Sequence, residues 1–109
     1  MYQYHHVKIL RVIDADTIEV SINLGFKLTR RDKVRLYGCN AYELREPKGK
    51  AAKNFVVDML KDAQNVMIET HKSGNDKYGR YLAKVFIDGV DLSAHLIENG
   101  YAKPYMVDK

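Results

Sequence analysis

Thr17-Ile18-Glu19-Val20-Ser21-Ile22-Asn23-Leu24 alternates without a break, with Ile18, Val20, Ile22 and Leu24 on one side and Thr17, Glu19, Ser21 and Asn23 on the other. Successive side chains of an extended chain point to opposite faces, so the octet predicts a strand with one buried face. Upstream, Val7 to Ile13 carries a similar pattern, with Val7, Ile9 and Ile13 set against Lys8. Downstream, Val34 to Cys39 reads as a third strand after a polar, basic connection. Between Gly49 and Ala63 the period changes: Ala52, Phe55, Val56, Met59, Leu60 and Ala63 form one stripe of an amphipathic helix, expected to lie on the strands. Val66 to Thr70 and Leu82 to Ile87 read as two further strands, joined by a loop of turn formers (Ser73, Gly74, Asn75, Asp76). The second ends at the turn pair Asp88-Gly89. A short helix from Leu92 to Asn99 is expected to stop at Gly100, a natural left-handed residue after a helix end. The order β-β-β-α-β-β-α is that of a five-stranded OB-fold barrel, so the expected class is mainly β, one domain over residues 1–109.

Bulk properties narrow the partners. The chain has 109 residues, enough for one core, with 18 Lys and Arg against 14 Asp and Glu, a formal charge of +4 and a pI near 9.1. That balance favours polyanions such as nucleic acid. The basic residues gather in Lys27 to Arg35, Arg45 to Lys53 and His71 to Lys84, runs that are also compatible with plain solvated faces. The one cysteine, Cys39, has no partner for an internal disulfide and reads as a small buried hydrophobe. Met1 to Val7 has no apolar run of signal-peptide type and nowhere do 18 consecutive apolar residues occur. The expectation is therefore a monomer without membrane contact, cytoplasmic or phage- or plasmid-encoded rather than secreted. His5, His6, His71 and His95 show no zinc-ligand spacing.

Several residues could carry chemistry on a phosphodiester, which needs an activated water, cations on the phosphoryl oxygens and help for the leaving oxygen. Asp14 and Asp16 close the first predicted strand in Asp14-Ala15-Asp16-Thr17; oxygen donors of this kind suit a hard cation, and Asp-x-Asp is also common at turns. Arg35 interrupts an apolar strand, as a planar fork for phosphate or as a salt-bridge partner. Glu43 lies in the following loop with Asn40, Tyr42, Arg45 and Glu46. Asp76, Lys77, Tyr78, Gly79 and Arg80 open the last long strand, where Gly79 permits close backbone approach.

Taken in order, Asp14-Ala15-Asp16-Thr17, Arg35-Leu36-Tyr37-Gly38-Cys39-Asn40-Ala41-Tyr42-Glu43, Asp76-Lys77-Tyr78-Gly79-Arg80-Tyr81-Leu82-Ala83 and Leu96-Ile97-Glu98-Asn99-Gly100-Tyr101-Ala102 resemble the staphylococcal nuclease family, over about Val7 to Tyr105. The resemblance implies a Ca²⁺-dependent endonuclease cutting DNA or RNA, with single-stranded or flexible regions preferred. It implies Asp16 as a direct Ca²⁺ ligand, Asp14 near the ion and Ala41 as a ligand through its backbone carbonyl. Glu43 corresponds to the general base, Arg35 and Arg80 to the pair that clamps the scissile phosphate, and Lys77 and Tyr78 to the holders of the neighbouring phosphate. Tyr105 is a candidate for base stacking. Three departures stand out: Asn40 replaces a metal-ligating aspartate and brings no charge, Tyr42 stands where proline is usual, and Ala15 where glycine is. The chain also stops before the long C-terminal helix of the familiar enzyme. Asn40 keeps open the alternative of a non-catalytic module that binds nucleic acid or a peptide.

Overall fold

A computed structural model describes residues 2–75 and 81–105. Its elements run β1 (Tyr2–Tyr4), β2 (Val7–Asp14), β3 (Thr17–Gly25), β4 (Leu28–Leu36), β5 (Cys39–Ala41), α1 (Pro47–Lys61), β6 (Val66–Asn75), β7 (Tyr81–Ile87), β8 (Val90–Asp91), α2 (Leu92–Glu98) and β9 (Ala102–Pro104).

The alternating octet is the hub. Ile18, Val20 and Ile22 are buried on one face of β3, which pairs antiparallel with β2 on one side and β4 on the other. β4 then pairs in parallel with β7 through Val34–Leu36 alone, and β7 and β6, then β6 and β1, continue antiparallel. The result is a mixed sheet in the order β1-β6-β7-β4-β3-β2, with β8 added beside β7 and a separate ribbon of β5 and β9. The sequence pointed to a closed barrel of five strands. Among the described residues the hydrogen-bonded path is open and carries additional short strands. Its two ends, β1 and β2, are consecutive in the chain, with only His5 and His6 between them.

The polar stretch expected to be a connection is mostly strand. Leu28–Lys33 pairs with the outer half of β3 although nearly all of it is exposed, so both faces are wet and no alternation marks it. The hairpin is closed by Gly25, Phe26 and Lys27, all at positive φ, and the Asn23 side chain accepts the Gly25 N–H at 2.8 Å. β6 likewise runs beyond Thr70 to Asn75. By contrast, Asp88 and Gly89 form the expected left-handed turn pair, and the Asp88 carboxylate accepts the backbone N–H groups of Gln64 and Asn65.

Both helices close over the sheet. Ala52 and Val56 of α1 are fully buried while Phe55, Met59, Leu60 and Ala63 pack half-buried at its margin, as the stripe predicts. The helix starts at Pro47, tolerated in the first turn because its missing N–H would lack a partner there anyway. α2 is capped by Asp91, whose carboxylate accepts from Ser93 and Ala94, and the chain turns out of it at Gly100 with φ 79°. The core joins Ile18, Val34, Leu36, Val56, Ile68, Val85, Leu92 and Leu96. Each such side chain contributes about 1.5–3 kcal/mol on burial against roughly 0–1 for an exposed ion pair, so apolar packing holds the fold. Cys39 is buried within it, and that burial raises its thiol pKa.

Candidate active site

The β2–β3 turn and the exit of β4 are sewn together, and the candidate residues sit on the seam. The Asp16 carbonyl accepts the Leu36 N–H at 2.9 Å. Its carboxylate is almost buried: Oδ2 accepts the Ala41 N–H at 2.9 Å and lies 3.4 Å from Arg35 Nη1, while Oδ1 accepts the Thr17 hydroxyl at 3.2 Å. Ala15, between the two aspartates, is fully buried and fixes the turn against the core.

Asp14 sits in a poor place for a charge. Its Oδ1 is buried with no hydrogen-bond partner among the described residues. Burial, and then the neighbouring Asp16 carboxylate, raise its pKa from 3.8 to about 6. An orphaned carboxylate oxygen beside a second carboxylate is the chemistry of a hard-cation site. No group of three or more His, Cys, Asp and Glu converges among the described residues, so a cation here would draw its further donors from amide and carbonyl oxygens such as those of Asn40 and Ala41.

Arg35, expected either to bind phosphate or to bridge an acid, braces the loop. Nη1 donates to the carbonyls of Leu36 (3.0 Å) and Cys39 (2.9 Å), and Nη2 donates to Asn40 Oδ1 at 3.2 Å. A guanidinium has five N–H groups; with three used, Nε and one Nη2 hydrogen remain for an incoming acceptor. The Asp16 bridge and the spare donors coexist.

Glu43 follows two residues after Ala41, but its carboxylate is exposed and turned to Arg45, whose Nε and Nη2 both lie 2.9 Å from Oε2. The backbone of Glu43 is held more firmly. Gly49, buried in the first turn of α1, passes so close to the Glu43 carbonyl that a Cβ there would collide with it, and would lie only 2.9 Å from Leu44 N. The N–H of Glu46 also donates to the Glu43 carbonyl.

The structure thus brings together Asp14, Asp16, Arg35, Asn40 and Ala41, and sets Glu43 beside them without engaging its side chain. Tyr105 is half-exposed, and its N–H donates to the Gly38 carbonyl at 3.0 Å, placing it next to the same loop. Lys77, Tyr78 and Arg80 lie outside the described residues. Two lysines not singled out from sequence also converge. Lys48 of α1 and Lys103 of β9 place their ammonium groups 4.9 and 5.7 Å from the centre of the Tyr42 ring. Lys103 reaches it because β9 pairs with β5, Asn40 opposite Lys103. No local pattern links positions 42, 48 and 103; only the long-range pairing does.

Comparison with known proteins adds an independent line. A family model described as "Staphylococcal nuclease homologue" matches residues 33–109. The thermonuclease of Staphylococcus intermedius is 35% identical over 99 residues, covering 85% of this chain and 55% of that protein. An uncharacterized protein of Methanocaldococcus jannaschii is 27% identical over 127 residues, 96% of this chain and 61% of the relative. A probable staphylococcal-like nuclease of Oryza sativa subsp. japonica is 31% identical over 78 residues, 72% of this chain and 23% of its own. The chain therefore spans less than two thirds of each of these relatives. With a family match over most of its length and motif residues gathered at one seam, the chain belongs to the staphylococcal nuclease homologue family.

Proposed function

We propose that this chain is a Ca²⁺-dependent endonuclease that hydrolyses phosphodiester bonds of DNA or RNA, on a sheet that closes as an OB-type barrel through the β1–β2 bend. The observation that carries it is the seam: two neighbouring carboxylates, one with a buried oxygen unpartnered among the described residues and the other bridged to an arginine with unspent donors. The thermonuclease relatives support the same chemistry.

The donor set fits Ca²⁺. Asp16 and Asp14 offer carboxylate oxygens, Asn40 an amide oxygen and Ala41 a carbonyl, all hard donors of the kind that ion takes. When bound, the ion would supply positive charge to the phosphoryl oxygens and satisfy Asp14. The remaining work falls to the chain. Arg35 donates its free N–H groups to the non-bridging oxygens of the scissile phosphate, and Arg80 completes the clamp and assists the departing 5′ oxygen. Glu43 accepts the proton of the attacking water; to do so it exchanges Arg45 for that water, a surface pair of the kind worth under about 1 kcal/mol. Lys77 and Tyr78 hold the next phosphate, Lys48 and Lys103 add a cationic lip around Tyr42, and Tyr105 offers a face to a base.

The test is incubation of purified protein with denatured DNA and with RNA, in Ca²⁺ or chelator, beside Glu43→Gln. Cleavage that needs Ca²⁺ and falls by about 10²–10⁴-fold in the variant is expected. The alternative, a non-catalytic module that binds nucleic acid or a peptide, draws on the engagement of Glu43 by Arg45 and of Asn40 by Arg35. Retarded migration of intact nucleic acid under every condition would establish that alternative and refute the endonuclease.

A further inference from the structure

The far end of the β3–β4 ribbon carries the two most exposed large apolar side chains among the described residues, Phe26 and Leu28, with Leu24 beside them. Phe26 is 97% exposed, Leu28 60% and Leu24 47%. They surround a turn in which Gly25, Phe26 and Lys27 have φ of 86°, 54° and 63°. A bulky aromatic is seldom held in that left-handed region, and no neighbour covers this ring, so packing within the chain does not account for it. Beyond Ile22 the ribbon extends past its neighbouring strands. β2 pairs in register with β3 only as far as Ile22, and β7 pairs with β4 only at Val34–Leu36.

A cationic collar runs back from the tip along the ribbon: Lys27 in the turn, Arg30 and Arg31 opposite Ile22 and Ser21, and Lys33 and Arg11 farther back opposite Glu19. These five outnumber the two carboxylates among them, Glu19 and Asp32, which pair with the arginines. Lys27 and Lys33 have no carboxylate within ion-pair distance among the described residues. Side chains alternate across the ribbon, so Arg30 and Arg31 project to opposite faces and the collar surrounds the tip.

We propose that this tip is a second nucleic-acid contact, in which Phe26 stacks on an unpaired base while the collar holds the flanking phosphates. From the Thr17–Arg35 pair at the candidate site to the Gly25–Leu28 pair at the tip is a run of β3 that spans about 25 Å at ~3.3 Å per residue. One extended strand of nucleic acid reaches both. A π-face with neighbouring cations accepts any base, so the contact adds affinity without sequence preference. A second copy of the chain would set two like-charged collars against each other. An anionic bilayer would match the charge, but it offers nothing that continues to the Asp16–Arg35 seam.

Stacking at the tip is a binding event and does not depend on cleavage. The chain contains no tryptophan, so Phe26→Trp creates a unique fluorescent reporter. It is titrated in chelator with a single-stranded oligodeoxynucleotide long enough to span both contacts, while anisotropy of a labelled oligonucleotide reports binding separately. Emission is expected to be quenched in step with binding, and Phe26→Ser is expected to weaken binding roughly tenfold, in the range found for loss of one stacked base. Saturable binding with unchanged emission would overturn the proposal, as would no binding at all. So would a blue shift on phosphatidylserine vesicles without quenching by the oligonucleotide, or a concentration-dependent shift without ligand, which would assign the tip to a membrane or to a second copy. Quenching by a protein that never cleaves would leave this contact standing and remove only the endonuclease.

Discussion

Replacing Asp14 with asparagine removes a charge that the fold accommodates badly. In the folded chain, burial and then Asp16 raise this carboxyl from 3.8 to about 6. Well below pH 3.8 it is neutral in both states and costs nothing. As pH rises from about 4 to 6 the unfolded chain releases the proton first, so native stability falls, and above 6 the full cost is in place. A shift of that size corresponds to at most ~3 kcal/mol, and because Asp14 is only half-buried, solvent screening brings it to about 1–2 kcal/mol. Asparagine keeps the shape, so Asp14→Asn should be more stable than the parent by about 1–2 kcal/mol near pH ~7.5 in chelator, and equal to it near pH ~3. Urea denaturation at the two pH values measures this. At the proposed Ca²⁺ site, saturating ion should reverse the order, because a carboxylate at position 14 would hold it more tightly than an amide and stabilise the parent by RT ln(1 + [L]/Kd). A variant that is less stable in chelator at the higher pH, or whose offset is the same at both, would refute the account of Asp14 as a charge awaiting a cation.

Three further outcomes are expected. Gly49→Ala, which in an ordinary helix would gain about 1 kcal/mol, should instead lose about 1–3 kcal/mol in thermal melts, because the new Cβ meets the Glu43 backbone, and cleavage should fall with it. Asn40→Asp should tighten Ca²⁺ binding in calorimetry by adding an anionic ligand; unchanged affinity would count against Asn40 as a donor. Lys48→Gln and Lys103→Gln should each weaken oligonucleotide binding at all sequences and lower the slope of log affinity against log salt by about 1, whereas an unchanged slope would place these lysines off the phosphate path.

Much of this architecture was legible because burial is one-sided. β3 could be placed from its alternation to within a residue, and α1 from its stripe, since Ile18, Val20, Ala52 and Val56 all point at the same core. The Asp88-Gly89 turn and the stop at Gly100 followed from the conformations those residues favour. The outer half of β4 was missed for the complementary reason: with solvent on both faces, Thr29 to Lys33 needs no apolar period, and pairing with β3 alone makes it a strand. The short strands β5 and β9 were illegible because each exists only in the company of the other. At the site, the meeting of Asp16 with Arg35 and Ala41 could be expected from motif order, but the orphaned oxygen of Asp14, the capture of Glu43 by Arg45 and the gathering of two lysines at Tyr42 depend on side-chain directions that no spacing encodes.

The ribbon of β5 and β9 has a temporal consequence. Asn40 and Ala41 gain their strand partners only from Ala102–Pro104, some sixty residues later in the chain. During synthesis, the loop that borders Asp16 therefore lacks this second brace, beyond those that Arg35 and Asp16 supply, until almost all of this sequence has left the ribosome.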